Sequence, residues 1–592
     1  MQNKTNIRLK RVKERLKNIV LPVIAYGGLA GIISGILVGF FNFFARYLIE
    51  FSQIIYEGVI EHLWALPLFF LGLAGLAMLM ALLHKYIPNV RGSGIPNVEG
   101  SVRGSLLYKS GRTLFGTFAG AFMSYVAGLP LGSEGPSVQI GAMTSQGITE
   151  LMRAKLTWRR YVMAGGAGAG IAVAFNAPLT GIIFAMEECQ KRWSPITLLC
   201  ASSAVIFGTA TFRTMGMIIK DLKWSSTTTL FDIENLLPLG DLADVSKFGE
   251  FAGVMGLLAL MGIILGILAV GFNFLLVRSQ RLTDKWVKQF PYWARLLVAF
   301  LITGVCGLIF TKYFEEGFSF VNTGGHSLID NLCHNGVKYS ILLLLVIIVV
   351  RMVLVLLCFN SGATGGLFIP MLAMGALSGA VIGKIFIAMG MNEGYFPAMV
   401  LISMTTFFAA SVRAPITAVV LIVELSGYNS DFLPTTIAIF TAFLVAEIIG
   451  NTPLYDSLLE RLREQNNKDE KVVKRSFGVV IEHGAFVAGR RIKDIIWPSD
   501  GLVTELVKED GESIVPDGET VMEEGDKLTL VVESTDYKDT VEYISHLVKG
   551  NLLTEEDGDS KKDDIDSDNT IDSSMVQKDA DDKLDVSDKD NG

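Results

Sequence analysis

Glu134 sits in a glycine/proline break, Gly132-Ser133-Glu134-Gly135-Pro136, and a second break, Thr364-Gly365-Gly366-Leu367-Phe368-Ile369-Pro370, lies further along the otherwise apolar chain. Proline suits the first turn of a helix and glycine frees the backbone before it, so each break predicts a helix start. A helix that begins inside a bilayer has first-turn N–H groups without intrahelical acceptors, and that end carries partial positive charge. Two such ends predict an anion site built from backbone dipoles. Gly92-Ser93-Gly94-Ile95-Pro96 adds a hydroxyl through Ser93, and Asn451-Thr452-Pro453-Leu454-Tyr455 adds a phenol. A carboxylate at a helix start is stabilised by the N–H groups that would bind a free anion, so Glu134 can compete with one. Glu187-Glu188 ends the apolar run Pro178 to Met186. Acids close to an intramembrane ion route are candidate proton carriers.

The breaks recur with a period. Pro136 and Pro370 are 234 residues apart (370 − 136), and Ala177-Pro178-Leu179-Thr180 returns as Ala414-Pro415-Ile416-Thr417 after 237 (414 − 177). Glu187 follows Pro178 by nine residues and Glu424 follows Pro415 by nine, so Glu187 reads as a structural residue of the repeat. Glu188 has no counterpart, because Leu425 occupies that place. The spacing leaves open whether the halves run parallel or inverted.

The elements that carry these residues must cross a membrane. The 592 residues are 51% hydrophobic with a positive mean hydropathy. Apolar runs at 19–47, 64–83, 250–276 and 340–358 each reach the ~20 residues that a helix needs to cross a bilayer core. The stretches 136–144 and 366–376 are too short and predict broken or re-entrant helices buried in protein. Seven Lys/Arg against Glu14 in the first 17 residues predict a cytoplasmic N-terminus. No convincing signal-peptide cleavage site follows. Basic connectors at 153–160 and 278–288 predict the same side, and the acidic, Ser/Thr-rich segment 220–247 the opposite one.

The chain divides into a basic segment (1–18), a membrane domain (19–465), a small soluble α+β module (471–548) and an acidic tail (549–592). Arg461 to Glu470 is a charged linker out of the bilayer. Within the module, Phe477–Ile481, Leu502–Val507 and Lys527–Glu533 read as strands between turn signals such as Pro516-Asp517-Gly518. Residues 551–592 hold 15 acids and 5 lysines, a local charge of −10, so the rest of the chain sums to +2 within the net −8. Such a tail cannot bury enough surface to fold. Five cysteines show no pairing framework and six histidines no zinc spacing; His326 and His334 read as parts of a polar connector. Gly165 to Gly170 lacks the Lys-Ser/Thr of a phosphate loop and predicts close helix packing. Nothing points to an enzyme, a cofactor or a nucleic-acid partner.

Over roughly residues 20–460 the glycine/proline motifs and their spacing resemble the CLC family of chloride channels and proton-coupled chloride transporters. The resemblance implies an all-α polytopic membrane fold of about eighteen mostly tilted helices in two inverted halves. It also implies a homodimer with one anion pathway per subunit. By that resemblance Ser93 and Tyr455 supply the hydroxyls of the central chloride site, Leu367 and Phe368 its backbone donors. Gly132, Gly135 and Pro136 frame the external site. Glu134 becomes the gate that takes a proton on swinging away, and Glu188 the internal proton relay found in many exchangers and replaced by a non-acidic residue in channels. Ser93 and Tyr455 keep the chloride-type pattern and argue against fluoride specialisation.

The module resembles the C-terminal ligand-binding subdomain of potassium-transport regulators (RCK_C, or TrkA-C), through Gly489–Asp494, Ile514–Thr520 and Gly525–Leu528. That resemblance implies dimerisation and a small cytosolic ligand, such as a cyclic dinucleotide. The expected function is therefore antiport of chloride against protons in the cell membrane, with both termini cytoplasmic and chloride as the bound substrate. The alternatives are a passive voltage- or pH-gated chloride channel and a membrane-bound ligand sensor.

Overall fold

The computed structural model describes residues 20–106, 108–218, 248–286, 290–426, 432–466, 473–482, 485–498, 501–509, 511–534 and 537–548. The basic N-terminal segment, the whole acidic 220–247 stretch and the acidic tail lie outside the described residues. Eighteen α-helices precede residue 467 among the described residues. They are α1 (Leu21–Glu61), α2 (Leu66–Tyr86), α3 (Gly94–Arg103), α4 (Ser110–Val126), α5 (Glu134–Leu151), α6 (Leu156–Phe175) and α7 (Pro178–Phe184). Next come α8 (Pro195–Ile218), α9 (Phe248–Trp286), α10 (Tyr292–Tyr313), α11 (Gly317–Val321), α12 (His326–Asn335) and α13 (Ile341–Ser361). The second half ends with α14 (Phe368–Ala388), α15 (Phe396–Val412), α16 (Pro415–Ser426), α17 (Phe432–Ile449) and α18 (Leu454–Asn466). The stretch Arg461 to Glu470, expected as a linker, is helical up to Asn466 as the continuation of α18.

Nine helices among the described residues are long and apolar enough to cross a membrane. They divide into two kinds. On α2 only the stripe Phe69, Leu73, Ala77, Met80 and His84 is buried, while Leu68, Leu71, Leu79 and Leu82 face outward. An apolar outer surface of this kind suits lipid. By contrast α14 and α15 are buried along nearly their whole length, as is α5, which is not one of the nine. Glycines make that density attainable: a Cβ on Gly168 would stand 2.5 Å from the Gly181 carbonyl oxygen, and one on Gly165 would stand 2.9 Å from that of Cys200. The Gly165–Gly170 run is thus a packing surface. The stretch 366–376, expected to be too short to span, is the first part of the 21-residue α14, because the apolar run continues to Ala388.

The 234/237 repeat is visible in the backbone. Gly128 and Gly362, 234 apart, both take positive φ (69° and 85°) ahead of their breaks. Asn176 and Arg413, 237 apart, both take positive φ (53° and 69°) and end α6 and α15. A short π-helix, Ala185–Gln190, continues α7 and carries Glu187 and Glu188.

After α18 the chain forms β1 (Val473–Val480), β2 (Arg490–Arg491), β3 (Leu502–Val507), β4 (Ser513–Ile514), β5 (Val521–Met522), β6 (Lys527–Ser534) and α19 (Tyr537–Val548). The antiparallel sheet runs β1-β6-β3-β4, and β2 pairs with β5. Alternate residues of β6, Leu528, Leu530 and Val532, join Leu506, Trp497, Ile544 and Leu547 in one core.

The module is seated on the ends of α6 and α8. Tyr161 Oη donates to the Asp494 carbonyl (3.1 Å) and accepts from the Ile496 amide (3.1 Å). Arg160 lies 3.4 Å from the centre of the Tyr543 ring, Arg192 donates to the Ile495 carbonyl (3.2 Å), and Ser194 Oγ donates to that of Asp494 (3.1 Å). Burial raises the Tyr543 phenol above its ordinary range, opposed by Arg160, so it stays a neutral donor to the Ile496 carbonyl at 2.7 Å.

Candidate functional site

The two breaks meet. Gly132 and Gly366 exchange both backbone hydrogen bonds, each at 2.8 Å, as an isolated antiparallel bridge. Side chains are excluded there: a Cβ on Gly366 would stand 2.7 Å from the Gly135 nitrogen, and one on Gly135 would stand 2.8 Å from the Gly366 Cα and 3.2 Å from Ser93 Oγ. A Cβ on Gly94 would stand 2.5 Å from the Gly135 carbonyl oxygen. The starts of α3, α5 and α14 are thereby drawn together, with Ser93, Ser133 and Leu367 as the residues just ahead of them. The second break is tied down from the first half: the Gly365 amide donates to the Gly92 carbonyl (3.1 Å), Thr364 Oγ1 to the Val90 carbonyl (2.7 Å), and Ser124 Oγ to the Thr364 carbonyl (2.6 Å).

Ser93 is 3% exposed and Tyr455 0%, yet Ser93 Oγ and Tyr455 Oη find no hydrogen-bond partner among the described residues. A buried hydroxyl left unpaired costs about 1–3 kcal/mol, which an acceptor bound between such donors would recover. Leu367 and Phe368 open α14, where first-turn N–H groups have no acceptor in the helix. Gly132, Gly135 and Pro136 surround the start of α5. Buried hydroxyls and first-turn amides are donors without a full positive charge, the kind of group that suits a passing anion rather than a trapped one.

Glu134, the first residue of α5, is fully buried. Its Oε1 accepts from Ser133 Oγ (3.1 Å) and lies 3.0 Å from His326 Nε2; Oε2 has no partner among the described residues. His326 was expected in a polar connector. Instead it opens α12 and touches the gate candidate, 192 residues away in sequence. His334 stays peripheral, exposed beside Asp330.

Glu188 is 1% exposed and lies in a cluster the motifs did not contain. Lys191 Nζ is 2.6 Å from Asp456, 3.2 Å from the buried Glu99 and 3.8 Å from Glu188. Arg103 closes the far side of the cluster on Glu99 at 2.9 Å. Glu99 lies two turns into α3 after Ser93, and Asp456 follows Tyr455 directly, so each of the two unpaired hydroxyls is joined by one short stretch of chain to a member of this cluster. Its i,i+4 spacing to Arg103 was the legible signal for Glu99. Glu187 turns away from the cluster and accepts from the Ile416 and Thr417 amides, as its repeat role requires. Among the described residues no group of His, Cys, Asp and Glu could hold a metal ion.

Comparison with known proteins shows the family of the chain. The family model described as "Voltage gated chloride channel" matches residues 74–447, and the TrkA-C domain model matches 477–545. The chain is 33% identical over 401 residues to the H(+)/Cl(−) exchange transporter ClcA of Vibrio cholerae, covering 67% of this chain and 80% of that protein. It is 32% identical over 453 residues to ClcA of Yersinia pestis, covering 74% and 88%. A crystal structure of a slow cyanobacterial Cl−/H+ antiporter superposes with a TM-score of 0.64 at 26% identity, over 75% of this chain and 99% of that one. A CLC-type fluoride/proton antiporter, at 17% identity and a TM-score of 0.56, shares the fold.

Proposed function

The chain belongs to the voltage gated chloride channel family, and we infer that it is a secondary antiporter that exchanges chloride for protons across the cell membrane. One observation carries this over a passive channel: two buried carboxylates, Glu134 at the head of α5 and Glu188 on the π-helix, both lie within electrostatic reach of the buried, unpaired hydroxyl of Tyr455. The gradients supply the free energy, and no catalytic step is involved.

In this reading the first-turn amides of α5 and α14, with Ser93 and Tyr455, replace the water around chloride. Leu367 and Phe368 supply the amides on the α14 side, and Gly132, Gly135 and Pro136 let an anion approach from outside. Ionised Glu134 occupies the anion's place at the head of α5; protonated, it loses its attraction for the amides and withdraws. Glu188 receives protons from the opposite side. Sidedness follows from α5. Its 18 residues set Glu134 about 25 Å from Leu151, next to the basic 153–160 connector on which the module sits. We assign the module, both termini and Glu188 to the cytoplasm.

The protein acts as a homodimer with one pathway per subunit. Its module binds a small cytosolic ligand of the cyclic dinucleotide class and acts on transport through Arg192 and Ser194, which join it to the segment right after Glu188. Reconstitution into liposomes tests the whole. Chloride-driven proton uptake is the expected result, chloride flux alone would make the protein a channel, and neither flux would make it a sensor.

A further inference from the structure

We infer that His326 is the proton-transfer residue through which Glu134 exchanges its proton with the external solution. The inference rests on the antiport reading and adds a residue that lies outside the four motifs.

A fully buried carboxylate needs a path for its proton. Of the groups that touch Glu134, Ser133 shares the head of α5, whereas His326 comes from α12 with its side chain 40% exposed. Its Nε2 lies 3.0 Å from Oε1, inside the range for direct transfer. At that distance one proton serves two states: an N–H donating to a carboxylate, or a carboxyl O–H donating to the ring. An imidazole can carry a proton on either ring nitrogen, so its second nitrogen can meet water while the first meets the acid.

The ring is mounted for this position. Arg351, wholly buried on α13, donates to the carbonyls of Phe320 (3.2 Å), Thr323 (2.9 Å) and Gly324. Asn322 Nδ2 donates to the Gly128 carbonyl at 2.9 Å, tying the same loop to the first half. Gly325, at φ 127°, turns the chain into α12, and the Phe175 ring stands 6.2 Å from the imidazole. The titratable and charged groups around the pair are few. Tyr125 on α4 donates to the Gly132 carbonyl (3.4 Å), and Tyr455 on α18 lies within electrostatic reach of Glu134. Arg351 abuts Gly325, Arg213 on α8 is bonded to Asn176 beside Phe175, and Asp330 and His334 on α12 face each other.

The transfer balances without another reactant. External water delivers a proton to Nδ1, and the imidazolium passes the Nε2 proton to Oε1. Neutral Glu134 and a neutral ring protonated at Nδ1 remain, and exchange of that proton with water resets the tautomer. Release runs the same steps backward.

Full-length protein in liposomes, with proton and chloride fluxes recorded together at pH values from about 5 to 8, tests this. His326→Gln keeps an amide donor for Oε1 and carries no proton; His326→Ala removes both. We expect His326→Gln to keep the wild-type proton-to-chloride ratio while turning over roughly tenfold more slowly, as loss of a positioned acid–base group predicts. Added imidazole buffer should restore part of that rate and leave the wild type unchanged. A His326→Gln protein with wild-type turnover at every pH and no response to imidazole overturns the inference, and a defect confined to His326→Ala reduces His326 to a positioning residue and overturns it too. Wild-type chloride flux without protons would overturn the antiport reading, and this inference with it.

Discussion

Glu187 and Glu424 each cap the helix of the other's half. Glu187 accepts from the Ile416 amide (3.2 Å), the Thr417 amide (2.7 Å) and Thr417 Oγ1 (2.6 Å) at the start of α16. Glu424 accepts from the Leu179 amide (2.9 Å), the Thr180 amide (2.7 Å) and Thr180 Oγ1 (2.7 Å) at the start of α7. Acids and donor residues are all related by the same step: 424 − 187, 416 − 179 and 417 − 180 each equal 237. Reciprocity of this kind marks a local two-fold axis. The end of each helix lies at the start of the other, so α7 and α16 run antiparallel, and the halves they represent are inverted.

That pairing predicts two equivalent lesions. Glu187→Gln and Glu424→Gln should each remove a charge-assisted cap and cost roughly 1.5–3 kcal/mol. Thermal unfolding in detergent should show similar drops for the two variants, with the proton-to-chloride ratio of the folded protein intact. A change of ratio in Glu187→Gln would place that acid on the proton route instead.

The repeat, the broken helices and the two acids were legible because they rest on glycine, proline and unpaired acidic positions, whose backbone consequences are local. The offset itself did not give inversion, since it is the same for parallel and inverted halves; the family resemblance implied it, and the mutual caps of Glu187 and Glu424 make it visible. His326 was hidden for a related reason. Its partner lies 192 residues away, and a lone histidine carries no spacing to read. Glu99, Lys191, Arg103 and Asp456 look like ordinary helix-end charges until the fold brings α3, α18 and the π-helix together.

Glu134→Gln should abolish proton movement while chloride continues to flow. The amide matches the carboxylate in shape but holds no titratable proton, and without charge it competes poorly for the α5 amides. Chloride flux should also lose most of its pH dependence. Simultaneous flux recordings check this, and proton coupling at the wild-type ratio would remove Glu134 from the mechanism.

Ser93→Ala and Tyr455→Phe should each weaken chloride binding about tenfold, the effect expected for one lost hydrogen bond to a charged group. Both hydroxyls are buried and unpaired among the described residues, so their removal breaks no bond within the protein. Stability should therefore hold or rise while chloride titration calorimetry shows the loss. Unchanged affinity in both variants would place the anion elsewhere.

Tyr161→Phe should loosen the module without touching the transport pathway. One hydroxyl there donates to the Asp494 carbonyl and accepts from the Ile496 amide, so its loss leaves the buried Ile496 amide without that partner and the Asp494 carbonyl with Ser194 alone. Faster proteolysis after α18, with the coupling ratio unchanged, is the expected pair of results. Wild-type resistance to protease would mean that the Arg160–Tyr543 stack and the Arg192 contact hold the module by themselves.

Glu188→Gln separates exchanger from channel without touching the anion site. Glu99 is gripped by Arg103 at 2.9 Å and Lys191 at 3.2 Å, and Asp456 by Lys191 at 2.6 Å, whereas Glu188 has only Lys191 at 3.8 Å. The most loosely held acid of the cluster is the one free to gain and lose a proton. Its burial also rules out a solvated surface charge, whose replacement would change little. The amide preserves the packing, and Lys191 keeps two carboxylates, so the protein should fold and carry chloride. Proton flux should fall to background, at both high and low chloride gradients. Lys191→Met is the control. It removes the cluster's central cation and should lower stability by roughly 1–3 kcal/mol, because Glu188 loses its one cation and Glu99 keeps Arg103 alone, whereas Glu188→Gln should leave the unfolding temperature close to that of the wild type. Intact coupling in Glu188→Gln would assign the inward proton path to Glu99, the other fully buried acid of the cluster.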